Sequence, residues 1–86
     1  MKLYREIEKI FPAIEKQFNA KNLHEFKNTR ISDLYLYHFG LGTWIRNNLL
    51  YQTSNLYNLF LENGINCTDE MSSYIIKLFH YELNKI

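Results

Sequence analysis

From Lys2 to about Asn19, apolar residues recur in steps of three and four: Leu3, Ile7, Ile10, Phe11, Ile14 and Phe18. Arg5, Glu6, Glu8, Lys9, Glu15 and Lys16 fall away from that stripe, so the segment reads as an amphipathic helix. Pro12 removes one backbone donor and crowds the preceding turn. Because the stripe runs unbroken across it, the pattern predicts one kinked helix rather than two short ones meeting at Pro12. Asn22 to Asn28 presents Leu23 and Phe26 and predicts a short helix capped by Asn22. Thr29-Arg30-Ile31 reads as a connection. Ser32 is the expected N-cap of the next helix, with Asp33 in its first turn.

Along Leu34 to Arg46 the apolar positions occupy two faces. One holds Leu34, Tyr37, His38, Leu41, Trp44 and Ile45; the other holds Tyr35, Phe39 and Gly42. A helix apolar on most of its circumference is expected to be surrounded by other elements. Gly40 and Gly42 each weaken a helix interior by about 1 kcal/mol relative to alanine, and close approach of another backbone would offset that cost. The pattern favours a continuous or kinked helix here over a turn at Phe39-Gly40-Leu41-Gly42. Thr53 or Ser54 caps a further helix carrying Leu56, Tyr57, Leu59, Phe60 and Leu61, and Gly64 ends it. Thr68 caps the last helix, where Asp69 and Glu70 complement the dipole and Met71, Tyr74, Ile75, Leu78, Phe79 and Leu83 form the buried stripe. No segment alternates as a strand does, and no hairpin signal or repeat is present. The prediction is an all-α, single compact domain over residues 1–86, with four or five short helices around a central helix that carries Gly40, Gly42 and Trp44.

Composition sharpens this picture. An 86-residue chain buries only about 60–65% of its unfolded surface and needs a dense core. Hydrophobic residues make up 47% of the chain and aromatic residues 16%, which supplies such a core and excludes disorder. Seven Tyr, six Phe and one Trp are more rings than one small core encloses, so some tyrosines are expected at the surface. Ten basic and nine acidic residues leave a net charge of +1, too little for a field that draws in a phosphate backbone. Cys67 stands alone and forms no internal disulfide. The N-terminus lacks the apolar core of a signal peptide, and no run is long enough to span a bilayer. A reducing, cytoplasmic setting is expected. The abundance of Asn, Ile, Lys and Tyr fits an AT-rich bacterial or phage genome.

The block from His38 through Gly40, Gly42, Trp44 and Arg46 to Asn48, followed by Gly64-Ile65 and by Asp69-Glu70-Met71-Ser72, resembles an uncharacterised bacterial domain family. Its members share a His-Phe-Gly-Leu-Gly-x-Trp-Ile-Arg-Asn-Asn block and a later Asp-Asp-Met-Ser block. The resemblance covers Asp33 to Asn84, giving a family-like core over 33–84 and an N-terminal helical extension over 1–30. The chain departs from the pattern at Asn66 to Glu70, where relatives more often have His-Pro-Asp-Asp. It also has Leu49-Leu50 in place of a tryptophan-containing stretch. The resemblance implies a domain and carries no activity.

Candidate chemistry is sparse. Arg46 near a helix end is expected to reach Asp69 or Glu70 in a two-pronged bond, with Asn47 and Asn48 capping carbonyls. The functional alternative makes Arg46 an anchor for a partner's carboxylate or phosphate. His24, His38 and His80 have no second histidine or cysteine at ligand spacing. His38 is expected to donate to a backbone carbonyl beside Trp44. Cys67 lacks a basic partner to activate it, and Gly40 and Gly42 lack the third glycine and preceding strand of a phosphate loop. Tyr35, Tyr37, Tyr51 and Tyr57 suit a protein interface better than nucleic-acid stacking, given the charge balance. The expectation is a non-enzymatic protein without catalytic residue, cofactor or metal, with Tyr35, Arg46, Asn47, Asn48, Tyr51 and Tyr57 as partner-binding candidates. It would inhibit or modulate a macromolecular partner, such as a nuclease or defence effector complex, in the manner of an immunity protein, antitoxin or phage anti-defence inhibitor. The alternatives are a nucleic-acid-binding module, a structural subunit of a larger assembly, or a homodimer.

Overall fold

The computed structural model describes residues 2–85, and all regular structure among them is helical. Helix α1 runs over Lys2–Glu15 without interruption at Pro12. The proline is on the exposed side, so the carbonyl it leaves without a backbone donor, that of Glu8, faces water. Leu3, Ile7, Phe11 and Ile14 are the buried face, and the chain turns over Lys16, Gln17 and Phe18 through Gln17 N–H to Ile14 O (3.0 Å) and Phe18 N–H to Glu15 O (3.1 Å). Helix α2 covers Ala20–Lys27. Its cap is Asn19 rather than Asn22: the Asn19 side chain accepts from the Asn22 backbone N–H at 2.7 Å. The exposed first turn, Ala20 and Lys21, adds no apolar stripe that would mark the earlier start.

The stretch expected as one α-helix changes pitch instead. Ile31–Tyr37 is a 3₁₀ helix, His38–Gly42 is a π turn, and α3 occupies Thr43–Leu49. The chain is helical throughout, with no turn at the glycines. Ser32 lies inside the 3₁₀ stretch and is not its cap; the cap position is Arg30, with no side-chain bond. At three residues per turn, positions i and i+3 eclipse, so Leu34 and Tyr37 share an inward row and Tyr35 and Leu36 face out, while Ile31, at the start of that row, remains exposed. The expectation of a surrounded segment therefore fails on its second face. Tyr35 and Phe39 are open to solvent, and only Gly42 of that set is buried.

Helix α4 (Asn55–Glu62) begins as expected at Ser54, whose hydroxyl accepts from Tyr57 N–H at 3.1 Å. It ends at Gly64, which takes φ +81°. Gly64 N–H bonds Leu61 O (3.0 Å) and Ile65 N–H bonds Phe60 O (3.0 Å), so the last carbonyls are satisfied by the loop itself. Helix α5 (Thr68–Asn84) is preceded by Cys67 in the cap position, without a side-chain bond, and Thr68 is its first residue. Asp69 and Glu70 lie in its first turn as expected.

Helix α5 packs against α2, α3, the 3₁₀ stretch and the π turn, while α1 packs against α4. One core joins all of them: Ile7, Ile14, Phe26, Ile45, Phe60 and Ile75 are fully enclosed. Phe26 is ringed by Phe18 (5.3 Å), Tyr37 (4.8 Å, edge on), Phe79 (5.6 Å) and His80 (5.5 Å, edge on). His80 is the one histidine in the core, and its Nε2 lies 2.8 Å from the Thr29 carbonyl oxygen. A carbonyl only accepts, so Nε2 carries the proton.

Candidate functional site

Arg46 rises from α3 into the junction between the π turn and the start of α5. Its Nη1 donates to Ser72 Oγ (2.9 Å), and its Nη2 donates to the His38 carbonyl (3.2 Å) and to Thr43 Oγ1 (3.0 Å). Nε faces Asp69 Oδ1 at 3.5 Å. The expected link to the last helix is present, but it is single rather than two-pronged, because the two terminal nitrogens are taken by Ser72, His38 and Thr43. Ser72 is fully buried and donates its own hydrogen bond to the Asp69 carbonyl at 3.0 Å, and among the described residues no buried polar side-chain atom lacks a partner. Gly42 makes room for it: a Cβ there would stand 2.9 Å from Arg46 Nη1. The approach that excludes a side chain at 42 is thus that of a guanidinium, not of another backbone. Gly40 has nothing within 4 Å of such an atom, and the expected close contact does not exist there.

His38 faces Asp69 across 4.0 Å and meets Phe39 edge on at 4.9 Å; the expected bond to a carbonyl beside Trp44 is replaced by this carboxylate neighbour. Asn48 donates to the Trp44 carbonyl (2.9 Å) as a capping residue should, and Asn47 is exposed. Tyr51 is exposed on the loop before α4, and Tyr57 is half-buried against the core. Among the described residues, no hydrogen bond, ion pair or ring contact joins any two of Tyr35, Arg46, Asn47, Asn48, Tyr51 and Tyr57. Arg46 is committed to holding three elements together, with 16% of its side chain exposed. Tyr35 is the member of the set that belongs to a larger surface feature.

That feature was missed by pattern reading. Ile31, Tyr35, Leu36 and Phe39 are 72%, 70%, 65% and 83% exposed, four large apolar side chains within nine residues of chain. Ile31 and Tyr35 form one wall of a groove of about 250 Å³ whose other wall is Ser73, Ile76 and Lys77 of α5. A second groove of about 370 Å³ shares Ser73 and Lys77 and continues past Tyr74 to Ile65. The signal in the sequence was the excess itself: Ile31, Leu34, Tyr35, Leu36, Tyr37 and Phe39 are too many apolar residues for one inward face.

The groups with displaced pKa values lie on α1 and at the end of α5. Partial desolvation and the carboxylates of Glu82 and Glu8 push the Tyr4 phenol up, with Tyr4 Oη donating to Glu82 Oε2 at 3.3 Å. The hydrogen bond from Lys9 (2.8 Å) pulls Glu6 down, and the bond to Glu82 raises Lys85. Among the described residues, no three His, Cys, Asp or Glu side chains are grouped for metal binding, and no helix is long and apolar enough to cross a membrane. Comparison with curated proteins and with solved structures finds no match. A match to a family described as a domain of unknown function, DUF6794, spans residues 5–83 and so takes in α1 together with the rest of the core. The chain belongs to that family.

Proposed function

We propose that this chain is a non-enzymatic binding protein that docks the Ile31–Phe39 surface and the adjoining α5 grooves onto a protein partner, and inhibits or modulates it. The observation that carries this reading is the exposure of Ile31, Tyr35, Leu36 and Phe39 in one continuous stretch. Large apolar side chains left exposed so close together in the chain support an interaction surface, and Tyr and Phe are enriched at interface centres. The π turn beside the patch adds support, since such turns occur often at functional sites. A charge of +1 favours a protein over a nucleic acid as the partner. The setting we propose is a reducing cytoplasm of a bacterium or its phage, supported by the single cysteine and the Asn-, Ile-, Lys- and Tyr-rich composition. An immunity protein, an antitoxin and an inhibitor of a defence nuclease all fit this description.

The test uses the double variant Leu36→Ser/Phe39→Ser beside the parent chain. Both side chains are exposed, so stability is expected to change by about 0.5 kcal/mol or less and the melting temperature to move little. Affinity capture from the native host is expected to recover a defined protein with the parent chain and to lose it with the variant. Adding the parent chain is then expected to lower the captured protein's activity. Retention by the variant, capture of nucleic acid released by mild salt, or light scattering that shows the parent as a dimer and the variant as a monomer each overturns the reading.

A further inference from the structure

Three half-buried aromatic residues from separate stretches of chain border a single cleft. Phe18 follows α1, Tyr37 ends the 3₁₀ stretch and Trp44 lies in α3; together they line a cavity of about 390 Å³. Each of them also packs against the core, which fixes the ring in place. The volume is in the range of roughly 300–1,000 Å³ typical of small-ligand sites. The remaining lining is polar on one side. Glu25 and Asn22, three residues apart on the same face of α2, contribute a carboxylate and an amide, and Gln17 a second amide. No basic residue lines the cleft, and among the described residues no ion pair engages Glu25. Gln17 spends its amide nitrogen on the Ala13 carbonyl at 3.4 Å, which leaves its Oε1 as an acceptor.

Gly40 stands at the same cleft. Its φ is not positive, and a Cβ would meet nothing within 4 Å. Neither backbone conformation nor packing calls for glycine there, although glycine weakens a helical backbone. A bulky side chain at this lining position would take up part of the space the cleft offers.

From these features we propose that the cleft binds an organic cation with N–H donors, an alkylammonium or a guanidinium. Aromatic rings attract a cation. The Glu25 carboxylate supplies a charge-assisted hydrogen bond, and the amide oxygens of Gln17 and Asn22 accept further protons. An aliphatic stem lies against Leu41 and the rings. A neutral apolar molecule leaves the carboxylate unused, and an anion is repelled by it. The site does not depend on the docking surface described above; the cation is either a free amine or a basic side chain presented by a polypeptide.

Trp44 is the sole tryptophan of the 86 residues, so its fluorescence reads the cleft directly. The probes are n-butylammonium, n-butylguanidinium, the neutral 1-pentanol and a blocked Gly-Lys-Gly peptide, all at constant ionic strength. A saturable change is expected for both cations, with dissociation constants on the order of 1–10 mM, and pentanol is expected to bind roughly tenfold more weakly. Glu25→Gln is expected to weaken the ammonium about fivefold or more. Gly40→Leu is expected to abolish the response while the thermal melt stays at or above that of the parent. Tighter binding of the peptide than of butylammonium identifies a polypeptide source, and equal binding identifies a free amine. Equal affinity for pentanol and ammonium, an unchanged constant in Glu25→Gln, or no saturable signal overturns the proposal.

Discussion

Arg46 shows what one side chain does when most of its hydrogen-bonding capacity is spent internally. It ties the carbonyl of His38, the hydroxyls of Thr43 and Ser72 and the carboxylate of Asp69 into one junction. Replacing it with methionine keeps much of the stem packing but removes its hydrogen bonds to Ser72, His38 and Thr43 and its pairing with Asp69, leaving buried Ser72 with only its own bond to the Asp69 carbonyl. Arg46→Met is expected to cost roughly 2 kcal/mol, a drop of about 10 °C in melting temperature for a domain of this size. The two glycines of the π turn separate in the same assay. Gly40→Ala meets open space and is expected to stabilise by about 0.4–1 kcal/mol. Gly42→Ala gains the same propensity, yet its methyl displaces the Arg46 guanidinium. A net loss of roughly 1 kcal/mol or more is expected there. Thermal melts of the pair check the opposite signs. At this scale the Arg46–Asp69 link was legible, since both residues lie near helix ends. The roles of Ser72, Thr43 and the His38 carbonyl were not, because they depend on how closely α3 approaches α5.

Helices α1 and α5 could be read from their apolar stripes and α4 from stripe and cap together, whereas the cap expected at Thr68 is the first residue of α5 instead; the punctuation of α4 makes a direct test. Ser54→Ala removes the acceptor for Tyr57 N–H and is expected to cost about 1 kcal/mol. Gly64→Ala forces a Cβ into φ +81° and is expected to cost about 1–2 kcal/mol; urea midpoints of the two variants check both. Starts were harder to read than ends. Asn19 and Asn22 are chemically equivalent caps, and the apolar residues that follow begin only at Leu23, so the pattern pointed three residues late. Ile31–Gly42 was misjudged for a different reason. Angular positions inferred from a period of 3.6 drift when the backbone is first overwound and then widened. Tyr35 and Phe39, expected to be covered by neighbours, come to rest in solvent.

At the level of the whole chain, helix class and the single core followed from composition and periodicity, and the surface that most resembles an interface did not. Helix α1 is integral to that core, with Leu3, Ile7 and Ile14 nearly or fully enclosed. Deleting residues 2–19 is expected to abolish cooperative unfolding, leaving a fragment whose circular dichroism fades gradually on heating instead of in one transition. A retained sharp transition would mean that the remaining helices close a core alone. One further trait bears on handling. The sole sulfhydryl of the 86 residues, Cys67, is exposed where the chain enters α5. With no second cysteine among these residues, a sulfur–sulfur bond between copies of this 86-residue chain tethers them at that corner, so air-exposed stocks of it are expected to accumulate covalent pairs that dithiothreitol splits back into single chains.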